Sequence, residues 1–227
     1  VSAGNVETSQ RIVDLLLRAF AQVIPNRVIA GCQGTMNTLT IGGMDPRSGK
    51  PYAYCETIGG GQGARPNADG MDGIHTNMTN TLNTPIEAFE IAYPLLVERY
   101  ELNPSSGGLG QYRGGLGIVR TLRVLDHKAI FSIQSERRKF PPYGLLGGRD
   151  GRKGRNYVLR RQIKKLSQPK FTVRLNPGDG IQIETPGGGG YGPVEKRSSD
   201  LMKKDLSEGR YRKGDFNHIP IGIDKKY

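Results

Sequence analysis

The chain has 227 residues, of which 35% are apolar and 7% aromatic, with no Trp; that allows one large domain or two small ones on a thin supply of core material. The net charge of +12 invites a nucleic-acid partner, but no helix-turn-helix, zinc-finger or RNP pattern is present and aromatics are not interleaved with the basic residues, so a solvated face or a surface for an acidic partner is the better reading. No 18-residue apolar run exists, and no basic start leads into an apolar stretch, which predicts a soluble, cytoplasmic protein without a membrane partner.

In chain order, residues 6–24 predict an amphipathic helix, with Ile12, Val13, Leu16, Leu17, Phe20 and Val23 at helical spacing and Pro25-Asn26 as its stop. Short strands are expected over 36–41 and 52–56, joined by a hairpin loop over 42–49. Pro85 opens a second helix, which Pro94 ends. Strands follow over 95–102, 117–125 and 129–135, with Asp126-His127 as a tight turn. Two more, over 171–175 and 180–185, are joined by Asn176-Pro177-Gly178-Asp179, where Pro fixes one φ and Gly permits a positive one. A charged tail from 193 carries one helix near 199–207. The fold class is α+β: an N-terminal amphipathic helix, a strand-rich, glycine-rich body and a short C-terminal helix. Its regions are 1–94, 95–192 and 193–227. Cys32 and Cys55 have no metal or redox spacing and are expected as buried, reduced thiols.

The functional signal lies between the first strands and the second helix. Over 59–81 the chain carries six glycines within its first fifteen residues and a proline, which forbid a helix and allow tight bends. Arg65, Asp69, Asp72, His75, Asn77, Thr79 and Asn80 are set into those bends with almost nothing apolar between them, the composition of a loop folded over a small polar ligand. His75, with Asp72 and Asp69 upstream, suggests an oriented imidazole, and no second His stands at a metal-ligand spacing. Gly59-x-Gly61-x-x-Ala64 follows a strand, yet Pro66-Asn67 replaces the helix a dinucleotide site needs. The segment 147–153 lacks the ending of a P-loop and reads as an exposed turn. Four glycines at 187–190 let a backbone pass close to something, either a ligand or the polar loop. Glu136-Arg137-Arg138 reads either as a surface ion-pair cluster or as a grip on an anion or a partner.

The wording of these motifs also resembles a known family. Gly-Gly-Gly-x-Gly-Ala-Arg-Pro from Gly59, Asp-Gly-x-Asp-Gly-x-His-Thr from Asp69 and Met-Thr-Asn-Thr-x-Asn-Thr-Pro from Met78 look like the B-type subunit of ATP-dependent hydantoinases and oxoprolinases. Relatives of that family include subunits of acetone and acetophenone carboxylases. The likeness extends upstream to Ala3–Arg11 and Gln33–Asn37, and downstream through Glu98–Leu102, Tyr112–Gly115, Glu136–Arg138 and Gly187–Gly192, covering about residues 2–195. It implies the C-terminal part of a B-type subunit, one piece of a split or processed protein. It also implies an A-type partner that binds ATP and phosphorylates a cyclic amide, and a divalent metal (Zn, Mn or Fe) held by the N-terminal half of the B-type polypeptide. Phosphorylation gives the amide a good leaving group, and hydrolysis follows. The resemblance makes His75 and Asp72 the candidate catalytic residues and Arg65, Asp69, Asn77 and Asn80 the candidate substrate-binding residues, with Arg65 neutralising an anionic group. A ketone carboxylase subunit and a non-catalytic assembly module are the alternatives.

Overall fold

The structure is a computed structural model and describes residues 4–161 and 163–216. Residues 217–227 of the charged tail, and Ala3 of the upstream motif, therefore lie outside the described residues. Among the described residues no helix is long and apolar enough to cross a membrane.

The chain opens with a π-helical turn, Gly4–Thr8, which runs into α1, Ser9–Phe20. Periodicity placed this helix well but said nothing about which face meets the protein. An apolar face ordinarily turns to a core; here Ile12, Leu15, Leu16, Phe20 and Val23 are exposed, while Glu7, Gln10 and Asp14 are buried. The buried polar side is held by contacts from distant chain. The Glu7 carboxylate accepts from the Thr35 hydroxyl at 3.0 Å and the Met36 N–H at 2.8 Å, and Asp14 pairs with Arg137.

Nine strands among the described residues form two antiparallel sheets that share one apolar cluster. The first has the order β2-β1-β5-β8 and uses β1 (Thr38–Met44), β2 (Pro51–Glu56), β5 (Ala129–Gln134) and β8 (Lys170–Leu175). The second has the order β3-β4-β9-β6-β7 and uses β3 (Leu95–Leu102), β4 (Ile118–Val124), β9 (Gly180–Glu184), β6 (Arg155–Arg160) and β7 (Ile163–Ser167). Leu39, Ile41, Phe131 and Ile133 from one sheet meet Leu122, Ile181 and Ile183 from the other, with Phe89 of α2 (Ile86–Ala92) among them. The first sheet thus draws strands from both sides of residue 94.

Several local readings change. Gly42, Gly43 and Met44 continue β1, so the hairpin loop is shortened to Asp45–Lys50. The turns at Asp126-His127 and Asn176–Asp179 join strands in different sheets; each carries the chain from one layer to the other. Gly178 does take the positive φ, +81°. The basic run 155–167 forms the β6–β7 hairpin, which the density of Lys and Arg conceals from a hydrophobic pattern. Cys32 is buried, its thiol pushed up to about 12 by desolvation, whereas Cys55 is exposed on β2.

Between the sheets and α3 (Ser199–Ser207) lies a layer made almost wholly of backbone. Gly188 donates to Gly115 O at 2.8 Å and accepts from Gly108 N; Gly115 donates to Gln62 O at 2.8 Å; Ala64 donates to Gly189 O at 2.9 Å; Gly31 accepts from Gly189. A Cβ on Gly188 would sit 1.9 Å from Gln62 O, and one on Gly115 would sit 1.8 Å from Met71 O. The close passage made by 187–190 is therefore against the polar loop and its neighbours, through main-chain contact. Leu109, Leu116, Val194, Met202, Tyr211 and Phe216 form a second apolar cluster beside it.

Gly188→Ala is expected to cost at least about 3 kcal/mol or to abolish folding, because only backbone could move to admit the methyl group. Gly49→Ala, where φ is +68° and nothing lies within 4 Å, costs only the left-handed strain, about 1 kcal/mol. Denaturant melts of the two variants measure the contrast, and equal costs would refute it.

Candidate functional site

The loop 59–81 is pinned at its base and open at its tip. Its entry is part of the glycine layer, and a bridge pairs Gly60 with Ile74. Arg65 and Ala68 close a small turn at 2.9 Å, which leaves the Arg65 side chain exposed; among the described residues no hydrogen bond or ion pair joins that side chain to the other candidates.

Asp69 and Asp72 are brought together by arginines from far along the chain. Asp72 receives Arg113 in bidentate form at 2.7 and 3.1 Å, the Leu116 N–H at 2.8 Å and Arg210 at 2.6 Å. Asp69 receives Arg197 in bidentate form at 2.8 and 2.9 Å and the Arg113 N–H at 2.8 Å. Asp205 of α3 completes the cluster, accepting from Arg113 at 3.2 Å and from Arg197 at 2.8 Å. Burial works to raise Asp69, but the Arg197 pair outweighs it and holds the carboxyl below its ordinary range. For Asp205 burial wins, and its carboxyl is pushed up. Every oxygen of Asp69 and Asp72 is thus engaged by an arginine. The two residues fasten the loop to α3 and its neighbours.

The expectation that Asp72 or Asp69 orients the imidazole is corrected by the contacts of His75. Its Nδ1 lies 3.3 Å from the Thr79 hydroxyl and its Nε2 lies 3.1 Å from the Thr81 hydroxyl, and the ring is half-buried. Two neutral hydroxyls supply no charge to stabilise an imidazolium, and desolvation pushes its pKa below the ordinary 6.5. Asn77, with φ of +68°, and Asn80 project from the same stretch and are exposed. A strained Asn at the tip of a polar loop is a feature of binding segments.

Sequence reasoning missed the support beneath this stretch. Glu56, at the end of β2, accepts from the Asn83 amide at 2.7 Å and the Tyr54 hydroxyl at 2.8 Å. Its other oxygen lies 2.6 Å from Nε of Arg120, which is fully buried and stacks on Tyr100 at 4.7 Å. Asn83 also accepts from Tyr100, and Thr57 meets Thr81 at 2.9 Å. The available signal was Arg120 itself, a cation within an otherwise core-forming strand; such a residue requires a buried acid.

These residues do not fit a metal centre. Among the described residues no three His, Cys, Asp or Glu side chains gather as a ligand set, and the two aspartates nearest in sequence to His75 are taken by arginines. What the arrangement offers is an uncharged imidazole and two exposed amides on a rigidly mounted loop.

An NMR titration of His75 should give a midpoint below 6.5. Because the unfolded chain then binds the proton more readily, stability falls as the pH drops through 6.5 and below. A midpoint at or above that value would remove the argument for a neutral imidazole.

Comparison with known proteins shows the family of the chain. The family model described as Hydantoinase B/oxoprolinase matches residues 1–194. An uncharacterized protein of Methanocaldococcus jannaschii is 44% identical over the whole chain, which spans 39% of that relative. The 5-oxoprolinase 1 of Arabidopsis thaliana is 42% identical over 85% of the chain, which spans 14% of it. The crystal structure of the ATP-dependent caprolactamase from Pseudomonas jessenii superposes with a TM-score of 0.77 at 26% identity, covering 86% of this chain and 35% of that one. The chain therefore corresponds to a minor part of each longer relative, and it belongs to the hydantoinase B/oxoprolinase family.

Proposed function

We propose that this chain is the C-terminal portion of the B-type subunit of an ATP-dependent cyclic-amide hydrolase in the cytoplasm. It acts with an A-type subunit that binds ATP and with the remainder of the B-type polypeptide, which holds a divalent metal. A cyclic amide is a poor electrophile; once its oxygen is phosphorylated, water adds to the carbon, the C–N bond breaks with the ring nitrogen taking up a proton, and a second water hydrolyses the resulting acyl phosphate to carboxylate and phosphate. The observation that carries the reading is the mounting of His75 between two threonine hydroxyls on a loop bolted down by Arg113, Arg197 and Arg210. In this reading His75 contacts the substrate or supports the groups that do. Asn77 and Asn80 offer amide donors and acceptors to a ring amide, and Arg65 neutralises an anionic group. Asp69 and Asp72 act through position alone, by keeping the loop in place.

The exposed apolar row of α1 supports action within a larger assembly. Leu15, Leu16 and Phe20 on the helix, with Val23 in the turn that follows it, stand 51–81% exposed, a surface that is ordinarily covered. The rest of the B-type polypeptide is the proposed cover.

His75→Ala, in the complex assembled with its A-type subunit and the rest of the B-type polypeptide, is expected to lower ATP-dependent turnover of 5-oxoproline or a hydantoin about 10–100-fold while leaving assembly intact. Unchanged turnover would overturn the role of the loop. Leu16→Asp combined with Phe20→Asp should instead weaken assembly and leave the melting of the isolated chain within about 1 kcal/mol of the parent, since about half of each side chain is already exposed. Native mass spectrometry of the mixture reads that outcome, and assembly at parental strength would remove α1 from the interface.

A further inference from the structure

A cavity of about 630 Å³ lies where the end of the Glu136–Arg138 segment, the 150–155 segment and the β7–β8 turn meet. Arg138, Lys139, Arg152, Lys153 and Arg155 line it, and Asp150 is the single acid among its lining residues. Asp150 is engaged, since Oδ1 accepts from the Gly144 N–H at 2.9 Å. Among the described residues none of the five cations forms an ion pair with a carboxylate. Behind the cavity, Glu7, Glu136 and Glu184 favour the charged form of Arg138, but none forms an ion pair with it. Glu136 is paired with Lys170 at 2.6 Å, Glu184 with Lys164 at 3.5 Å, and Glu7 is bonded to Thr35 and Met36.

Arg138 is the built element. Its Nη1 donates to Asn37 Oδ1 at 2.7 Å and to the Glu136 carbonyl at 2.8 Å, and its Nη2 to Asn156 Oδ1 at 2.7 Å, all neutral acceptors, while Nε is buried without a hydrogen-bond partner. Burial pulls the guanidinium down to about 9, well below its ordinary value. Gly154 makes room for it, because a Cβ there would fall 2.6 Å from Nη1. Arg138 thus contributes to a cavity lining that holds four further cations and a single, already engaged acid, a surface suited to an anion. One carboxylate would satisfy one or two of the five; a phosphate dianion, with three terminal oxygens, matches the set better.

We propose that this cavity binds a small phosphate-bearing anion. It is also connected to the polar loop. Arg138 donates to Asn37, whose amide donates to Gln33 Oε1 at 3.0 Å, and Gln33 donates to the carbonyl of Ile74, the residue before His75, at 3.4 Å. The site does not depend on the hydrolase reading, since its test needs neither ATP nor an amide.

The test is calorimetric titration of the chain with inorganic phosphate at low ionic strength, with chloride as the reference. One saturable site with a Kd on the order of 1 mM or tighter is expected. Arg152→Ala with Lys153→Ala, both exposed and free of ion pairs, should weaken it about tenfold or more. Arg161→Ala with Lys165→Ala, the same loss of charge on the neighbouring hairpin, should leave it unchanged. Absence of saturable binding would overturn the proposal. So would equal weakening by both pairs, or phosphate displaced by a short DNA duplex with both pairs equally harmful, since either marks diffuse surface charge.

Discussion

Main-chain contact at the glycine layer is the constraint on which the rest of this structure depends. Segments around residues 31, 62, 108, 115 and 188 approach so closely that a single Cβ would overlap a carbonyl. At that distance the amides of one segment are the only available partners for the carbonyls of the next, and they are used in that way. Such a layer cannot slide, because every displacement leaves buried amides unpaired. The polar loop begins inside it, so the position of His75 relative to the two sheets is set by hydrogen bonds that no side chain can adjust.

The far end of the loop is fixed by a different means. Three arginines reach Asp69 and Asp72 from positions 113, 197 and 210, with Asp205 closing the circuit. Replacing such pairs by apolar groups is often neutral for stability, so the network is better understood as a device of placement. The planar guanidinium makes two parallel bonds to each carboxylate and so sets an orientation as well as a distance. The loop is thereby held at its base and again at Asp69 and Asp72, while beyond them Asn77, in left-handed backbone, and Asn80 are exposed.

Much of this was legible from sequence, and the gaps have physical causes. The second helix, the third strand and the C-terminal helix fall where proline placement and alternation put them. The polar loop was recognisable because glycine and hydrogen-bonding residues crowd together without apolar spacing. The role of Asp72 was not, because its partners lie 41 and 138 residues away, and nothing local tells a carboxylate aimed at a ligand from one aimed at an arginine. The turns at 126 and 176 looked like hairpins because a tight turn reverses a chain whether or not the flanking strands pair. The β6–β7 hairpin escaped because strand formation there follows main-chain pairing, with Lys and Arg turned to solvent.

The small supply of apolar residues takes on a different meaning in this light. A chain that borrows burial from a partner would show the same shortage. Part of the explanation is internal, because a layer that packs backbone on backbone needs no side chains, and the glycines that build it displace core residues without leaving a void. Part is still external. The amphipathic α1 spends its hydrophobic residues on solvent and, with the turn before it, seats Glu7, Gln10 and Asp14 inward, where Thr35, Met36, Cys32 and Arg137 receive two of the three. A helix arranged only for this chain would gain from the opposite rotation. Its rotation is set by the inward acids, which bind the strand entry and the Arg137 segment, and that choice leaves an apolar face for a second surface to cover. The same polar interior that anchors α1 thus also creates the interface through which the proposed assembly would form.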